Sequence, residues 1–277
     1  MASKRLNGAL VMPTEIASAS GAGPREPATH GSDVTGSTTA NRVTSRVGSL
    51  LFLLGLVVLV ISTQLHPARE NPMDNPAVFH EYAQSDLWIA VHLGQFVGIL
   101  LVIGGLVALY FSLATRADAA AAVARFGLAA AVTTAASFTI LQAVDGIALK
   151  RAVDAWTSAP PDQQVAAFAA AEAIRWIELG VNSLSFSLVG LTLVLYGIAL
   201  ALSGLHPRWV GWLAAVAGVA HIIRGVDASY QGFVDSIAEL IGLALLALWT
   251  VIMAVLMWRQ SNRLTAVSRE SPGPISP

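Results

Sequence analysis

Apolar and polar positions along this chain are segregated on the scale of whole membrane crossings. Six apolar runs stand out, at 47–65, 87–113, 123–147, 178–203, 209–228 and 236–258. Each comes close to or exceeds the about 20 residues that an α-helix needs to cross a hydrocarbon core. The pattern predicts an all-α membrane protein, a six-helix transmembrane bundle over 47–260. The third and fourth runs carry polar but helix-favouring extensions, "GIALKRAVDAW" and "PDQQVAAFAAAEAIRWIE". These predict a helical hairpin projecting beyond the membrane and turning near "SAPPD", with Pro161 in the first turn of the fourth helix. Asp74 or Asn75 before Pro76 reads as the start of a short surface helix ending near Gln84.

The flanks differ in kind. Residues 1–46 are rich in Ser, Thr, Gly, Ala and Pro, and 261–277 form a second polar tail. Segments with so little to bury cannot offset their ordering entropy, so both are expected to be disordered. The first apolar run lies too far into the chain, and is too long, for a secretory signal.

Composition agrees with the pattern. The chain is 55% hydrophobic and 12% charged, against about a quarter charged in soluble domains. A net charge of −1 gives no basic field for nucleic acid. The absence of cysteine excludes disulfides and thiolate-held metal centres. The preference for Arg over Lys and the abundance of Ala fit a bacterial source, and the expected location is the bacterial inner membrane.

Basic residues set the expected orientation. With both tails on one side, that side holds eleven of the sixteen Lys and Arg residues: Lys4, Arg5, Arg25, Arg42, Arg46, Arg116, Arg125, Arg208, Arg259, Arg263 and Arg269. Both tails are therefore expected to be cytoplasmic. Twelve of the seventeen acids fall on the opposite, outer side. Acids do not direct sorting, so that excess needs another reason.

Polar residues recur at the outer ends of the spans. The second span has His92 and Gln95, the third Gln142 and Asp145. The fourth has Glu172, Arg175, Glu178 and Asn182, the fifth His221, Arg224 and Asp227, the sixth Asp235 and Glu239. Spacings of three or four residues put each set on one helix face. At about 1.5 Å per residue, Arg224 lies about 22 Å along its span and His221 about 18 Å. An Arg near mid-membrane costs roughly 2.5–3.5 kcal/mol, so it calls for a partner such as Asp227, Asp145 or Glu178. The nine residues His92, Gln95, Gln142, Asp145, Glu178, Asn182, His221, Arg224 and Asp227 are the candidate lining of an outward-facing polar cavity. The alternative is an ion-pair network that only fixes helix register. His66 and His80 read as solvated loop residues, and Trp88, Trp176, Trp209, Trp212 and Trp258 as interfacial rings at span ends.

Specific chemistries find little support. Bis-histidine haem ligation would need His92 and His221 at one depth, and they differ by about 13 Å. A zinc set of His92, Asp145 and Glu178 is chemically acceptable, but no H-x-x-x-H or H-E-x-x-H pair occurs, so no metal and no cofactor are expected. Ser183, Ser185 and Ser187 lack a G-x-S-x-G setting, and no phosphate-binding glycine motif opens a helix. No catalytic residue is assigned.

"HLGQ" at the start of the second span, with "QAVDG" and "WIELG", resembles uncharacterised bacterial multi-pass membrane proteins grouped as domains of unknown function. That resemblance covers about 47–258 and implies no catalytic roles. A weaker echo within the chain, 88–110 against 176–197, suggests a parallel repeat of two-helix units. The expected partners are membrane lipid and a small-molecule ligand. The functions left open are binding or transport of a small molecule, ion or lipid headgroup, an intramembrane enzyme with a His–carboxylate site, and a non-catalytic membrane component.

Overall fold

A computed structural model of the chain describes residues 30–115, 118–233 and 236–270. The outer parts of the two expected tails, 1–29 and 271–277, and Asp235 of the polar layer lie outside these residues. Among the described residues the fold is all-helical. Its helices are α1 (His30–Gln64), α2 (Asn75–Ala83), α3 (Trp88–Leu113) and α4 (Ala119–Thr157), then α5 (Gln164–Ser203), α6 (Arg208–Gln231) and α7 (Ile237–Glu270). All but the short α2 are long and apolar enough to cross a membrane. The chain is a six-span membrane-protein bundle, as the hydrophobic pattern predicts.

Local signals place the helix ends. The Asp74 carboxylate accepts from the Ala77 N–H at 3.3 Å and opens α2, and Asp118 does the same for Ala121 at 3.0 Å at the start of α4. Gly204 ends α5 with φ +64°, a left-handed conformation that glycine adopts without a Cβ clash. Pro161 does not enter the first turn of α5, which starts at Gln164. It sits in the preceding turn, where the Pro160 carbonyl accepts from Gln163 and Gln164.

Helix also covers part of both segments expected to be tails. Helix α1 already runs from His30, and Ser45 is buried. Arg46 donates to Ser261 Oγ at 2.8 Å and to Asn262 Oδ1 at 3.3 Å, with its guanidinium over Trp258. Helix α7 likewise continues to Glu270. The two helices extend each other's packing surface beyond the apolar runs, which hydropathy alone does not register. Both ends of the described chain therefore leave the bundle on one side.

The helices form a closed ring in the order α3, α1, α7, α6, α5, α4 and back to α3. The α5–α6 seam has small residues every seven positions: Ser183, Gly190 and Gly197 face Gly225, Gly218 and Gly211 in antiparallel register. A Cβ on Gly190 would strike the Gly218 carbonyl, and one on Gly211 the Gly197 carbonyl. In lipid, helices gain little from hydrophobicity on meeting, so close backbone approach supplies the contact energy. Short polar bonds join α4 to α5, Thr134 to Thr192 at 3.0 Å and Ser137 to Ser185 at 2.6 Å.

At the end opposite the tails, the chain builds a cap. Helix α2 packs on the hairpin formed by the last turns of α4 and the first turns of α5, which the sequence predicts to project. Val78, Phe79, Tyr82, Trp88, Leu149, Val153 and Ala171 form its core, separate from the main bundle core around Leu109, Tyr196, Trp249 and Met253. Between the cap and that core, α4 leaves α-helical geometry for a π-turn at Val144–Leu149.

Candidate functional site

The cap end holds a cavity of about 740 Å³. It opens among His66, Arg69, Pro72 and Phe233 and reaches down to Leu59, Ile99 and Leu246. Of the nine sequence candidates, Gln95, Gln142 and Asp145 line it from α3 and α4. Glu178 and Asn182 line it from α5, His221 and Arg224 from α6. His92 lies behind the wall, 2% exposed, and Asp227 borders a smaller neighbouring cleft of about 170 Å³ with Arg224 and Glu239. The polar stripes of α3 to α6 therefore converge, joined by Glu239 of α7, around a space whose deeper wall is apolar.

The ion pairs differ from those expected for Arg224. Glu178 is held by Arg175 one turn earlier on α5, through two bonds of 2.8 and 2.9 Å. Both side chains are buried, at 3% and 4% exposure. Arg175 also donates to the Pro72 carbonyl at 3.2 Å and lies against the rings of Tyr82 and Phe233. Arg224 instead bonds to Asn182 Oδ1, stands 3.5 Å from Glu239, and stacks 3.8 Å above the Phe186 ring. Asp145 faces His92, with its Oδ2 3.0 Å from His92 Nε2, and not Arg224. Spacing on a helix shows which residues share a face, but not which neighbouring helix supplies the opposite charge.

A second cluster forms where α1, α3 and α4 meet. His92 Nε2 is 3.0 Å from Asp145 Oδ2, and His66 brings a ring nitrogen to the same point, the ligand atoms of all three residues lying within 4.8 Å of one another. His66 is thus not a solvated loop residue: it is half-buried, with its ring 5.2 Å from His92 and 4.9 Å from Trp88. Trp88 is not interfacial. It is fully buried, stacks between Tyr82 and His92, and donates its indole N–H to the Asp145 carbonyl at 3.1 Å. Trp176, Trp209, Trp212 and Trp258 remain exposed, as rings at span ends should be.

Local structure makes this meeting possible. The π-turn begins at Val144 and inserts an extra residue's rotation just where Asp145 turns inward. Gly146 follows, and a Cβ there would collide with the His92 side chain. The motif "QAVDG" thus carries a carboxylate and the gap that admits its imidazole partner. Each histidine anchors Nδ1 on a backbone carbonyl, His66 on Pro67 and His92 on Trp88, both at 2.7 Å. Those bonds place the neutral ring proton on Nδ1 and leave Nε2 as a lone pair. Burial pushes the His66 imidazole below its ordinary range, against a smaller upward pull from Asp145.

His221 and the three serines of α5 have local partners. His221 stacks on Phe186, with ring centroids 6.0 Å apart, and its Nδ1 donates to the Ala217 carbonyl. Ser183 and Ser187 bond to carbonyls one turn back, and Ser185 bonds to Ser137. Glu178 is committed to Arg175, and the third member of the His92–Asp145 cluster is His66. Pairing of residues 26 positions apart, across the end of α1 and the start of α3, has no spacing signature. The one hint was the acid excess at this end.

Comparison with known families places a match over residues 47–234, to a family described as Domain of unknown function (DUF4386). The match spans α1 to α6 from Val47, including His66, His92, Asp145 and the cavity residues other than those of α7. No curated protein and no solved structure matches the chain.

Proposed function

The chain belongs to the DUF4386 family of unknown function, and on that premise we propose that it binds a small amphiphile in the cap-end cavity, which faces the outside of the cell. The observation that carries the reading is the division of the cavity wall. Arg224, Asn182 and Gln142 are among its polar lining, and the apolar Leu59, Ile99, Phe138, Leu243 and Leu246 lie a turn or two further into their helices than the polar residues of the same helices. About 740 Å³ is within the range of small-molecule sites, which are mostly apolar with a few oriented polar groups. An amphiphile would set its acceptor-bearing head against Arg224 and Asn182 and its apolar part against the leucines. The Arg224–Glu239 contact, at 3.5 Å with Glu239 partly exposed, is the ion pair most easily exchanged for a ligand's head group. The surrounding lipid is a direct source of such molecules, and the outward orientation rests on the Arg and Lys asymmetry.

Dansyl-undecanoate fluorescence tests the reading on protein in detergent. A saturable, blue-shifted signal is expected, weakened by Arg224→Leu and abolished by Leu246→Trp, which fills the apolar end. Equal signals from the wild type and folded Leu246→Trp protein would mean that the probe reports only micelles, and the reading would fail.

A further inference from the structure

We propose that His66, His92 and Asp145 form a binding site for a divalent transition-metal ion of the zinc class, at the edge of the cavity. The inference is independent of what fills the cavity.

Three observations carry it. The first is convergence: three ligand atoms from α3, α4 and the segment after α1 lie within 4.8 Å of one another. Tetrahedral ligands on bonds of about 2.0–2.2 Å stand roughly 3.4 Å apart. The 3.0 Å between His92 and Asp145 is already near that separation. His66, in the connection after α1 and half-buried, is the ligand placed to close the remainder.

The second observation is unmet bonding. His92 Nε2 and Asp145 Oδ1 are buried and have no hydrogen-bond partner among the described residues. His92 Nε2 stands 3.0 Å from Asp145 Oδ2, and a neutral ring whose proton is on Nδ1 has no hydrogen to donate there. An imidazole lone pair set against a buried carboxylate is costly unless something positive lies beside both. A cation meets both.

The third is support around the ligands. Metal-bound histidines usually donate their other ring N–H to a carbonyl or carboxylate, which orients the ring. His66 and His92 both do so, at 2.7 Å. The Asp145 backbone is held in turn by the Trp88 indole, and its position depends on the π-turn and on Gly146.

The donor set selects the metal. Two imidazoles and one carboxylate suit zinc and its first-row neighbours, whereas calcium and magnesium prefer all-oxygen shells. Three protein ligands leave one position of a tetrahedron for another donor. His66 and Asp145 also line the cavity, so that position faces it. A water or an oxygen of the bound head group would complete the shell.

Zinc binding to chelator-stripped protein in detergent, purified without a histidine tag, tests the site. Titration with ZnCl2 followed by elemental analysis should give one zinc per chain and a higher Tm. Co2+ in its place should give the intense visible bands of a tetrahedral centre. His66→Ala and Asp145→Asn should each weaken zinc binding by at least about 10–100-fold, the loss that disturbing even an outer partner of a ligand brings. His80→Ala, on the exposed face of α2, should leave it unchanged. His66 is the primary variant because it lies in a connection and can be lost without opening the bundle. Absence of saturable zinc binding, or undiminished binding by folded His66→Ala protein, would overturn the site.

Discussion

Glu178→Ala leaves the Arg175 guanidinium, 4% exposed, without its carboxylate inside the bundle. Removing one member of a buried ion pair generally costs about 3–5 kcal/mol, because the remaining charge keeps its desolvation penalty. Arg175 retains the Pro72 carbonyl and the faces of Tyr82 and Phe233, so the lower end, about 3 kcal/mol, is expected. At about 2–4 °C per kcal/mol for a chain of this size, Tm in detergent should fall by about 6–12 °C. The partner is identified by a double-mutant cycle. Adding Arg175→Leu should recover much of the loss, a coupling of about 1–3 kcal/mol. Adding Arg224→Leu should be additive within about 0.5 kcal/mol. Scanning fluorimetry of the three single and two double variants measures all of these terms. A Glu178→Ala shift below about 2 °C, or coupling to Arg224 in place of Arg175, would refute the assignment of the pair.

Two further outcomes follow from the packing and the charge pattern. Gly218→Ala should destabilise the α5–α6 seam by about 1–3 kcal/mol, because its Cβ meets the Gly190 carbonyl and the Val194 N–H, backbone that cannot move aside. Gly180→Ala, with nothing within 4 Å, should be neutral by the same fluorimetry. Reporter fusions after Thr115 and Leu205 should read cytoplasmic and those after Asp74 and Ser158 external; the reverse pattern would invert the proposed orientation of the cavity.

Much of the fold was legible because membrane helices announce themselves by length and hydropathy. The surface helix at Asn75–Ala83 was legible too, from its Asp74 cap and Pro76. The helical extensions before Val47 and beyond Gln260 were not, since two polar helix ends that stabilise each other look like tails when each is read alone. For the site, the three- and four-residue spacing identified the faces of α3 to α6, and those faces do converge on one cavity. Partners across the ring stayed hidden. Glu178 finds Arg175 on its own helix, while Arg224 finds Asn182 and Glu239, because the choice depends on helix rotation and neighbour order. His66 was missed for the same kind of reason. It lies in a connection, where polarity is ordinary, and only the fold brings it to His92. The π-turn that aims Asp145 has no sequence marker beyond the glycine that follows it.

The central claim is that the polar faces of α3 to α6 enclose a water-accessible cavity, and the absence of cysteine makes a direct measurement possible. Single cysteines at Gln142 and Val189, both in the cavity wall, are compared with cysteines at Leu184 and Val216, which are 64% and 56% exposed on the bundle exterior. The probe is a charged, membrane-impermeant methanethiosulfonate reagent applied to intact cells. The account predicts rapid modification at Gln142→Cys and Val189→Cys and none at the two lipid-facing sites. Cavity cysteines as unreactive as Leu184→Cys, in protein that is folded and inserted, would contradict it.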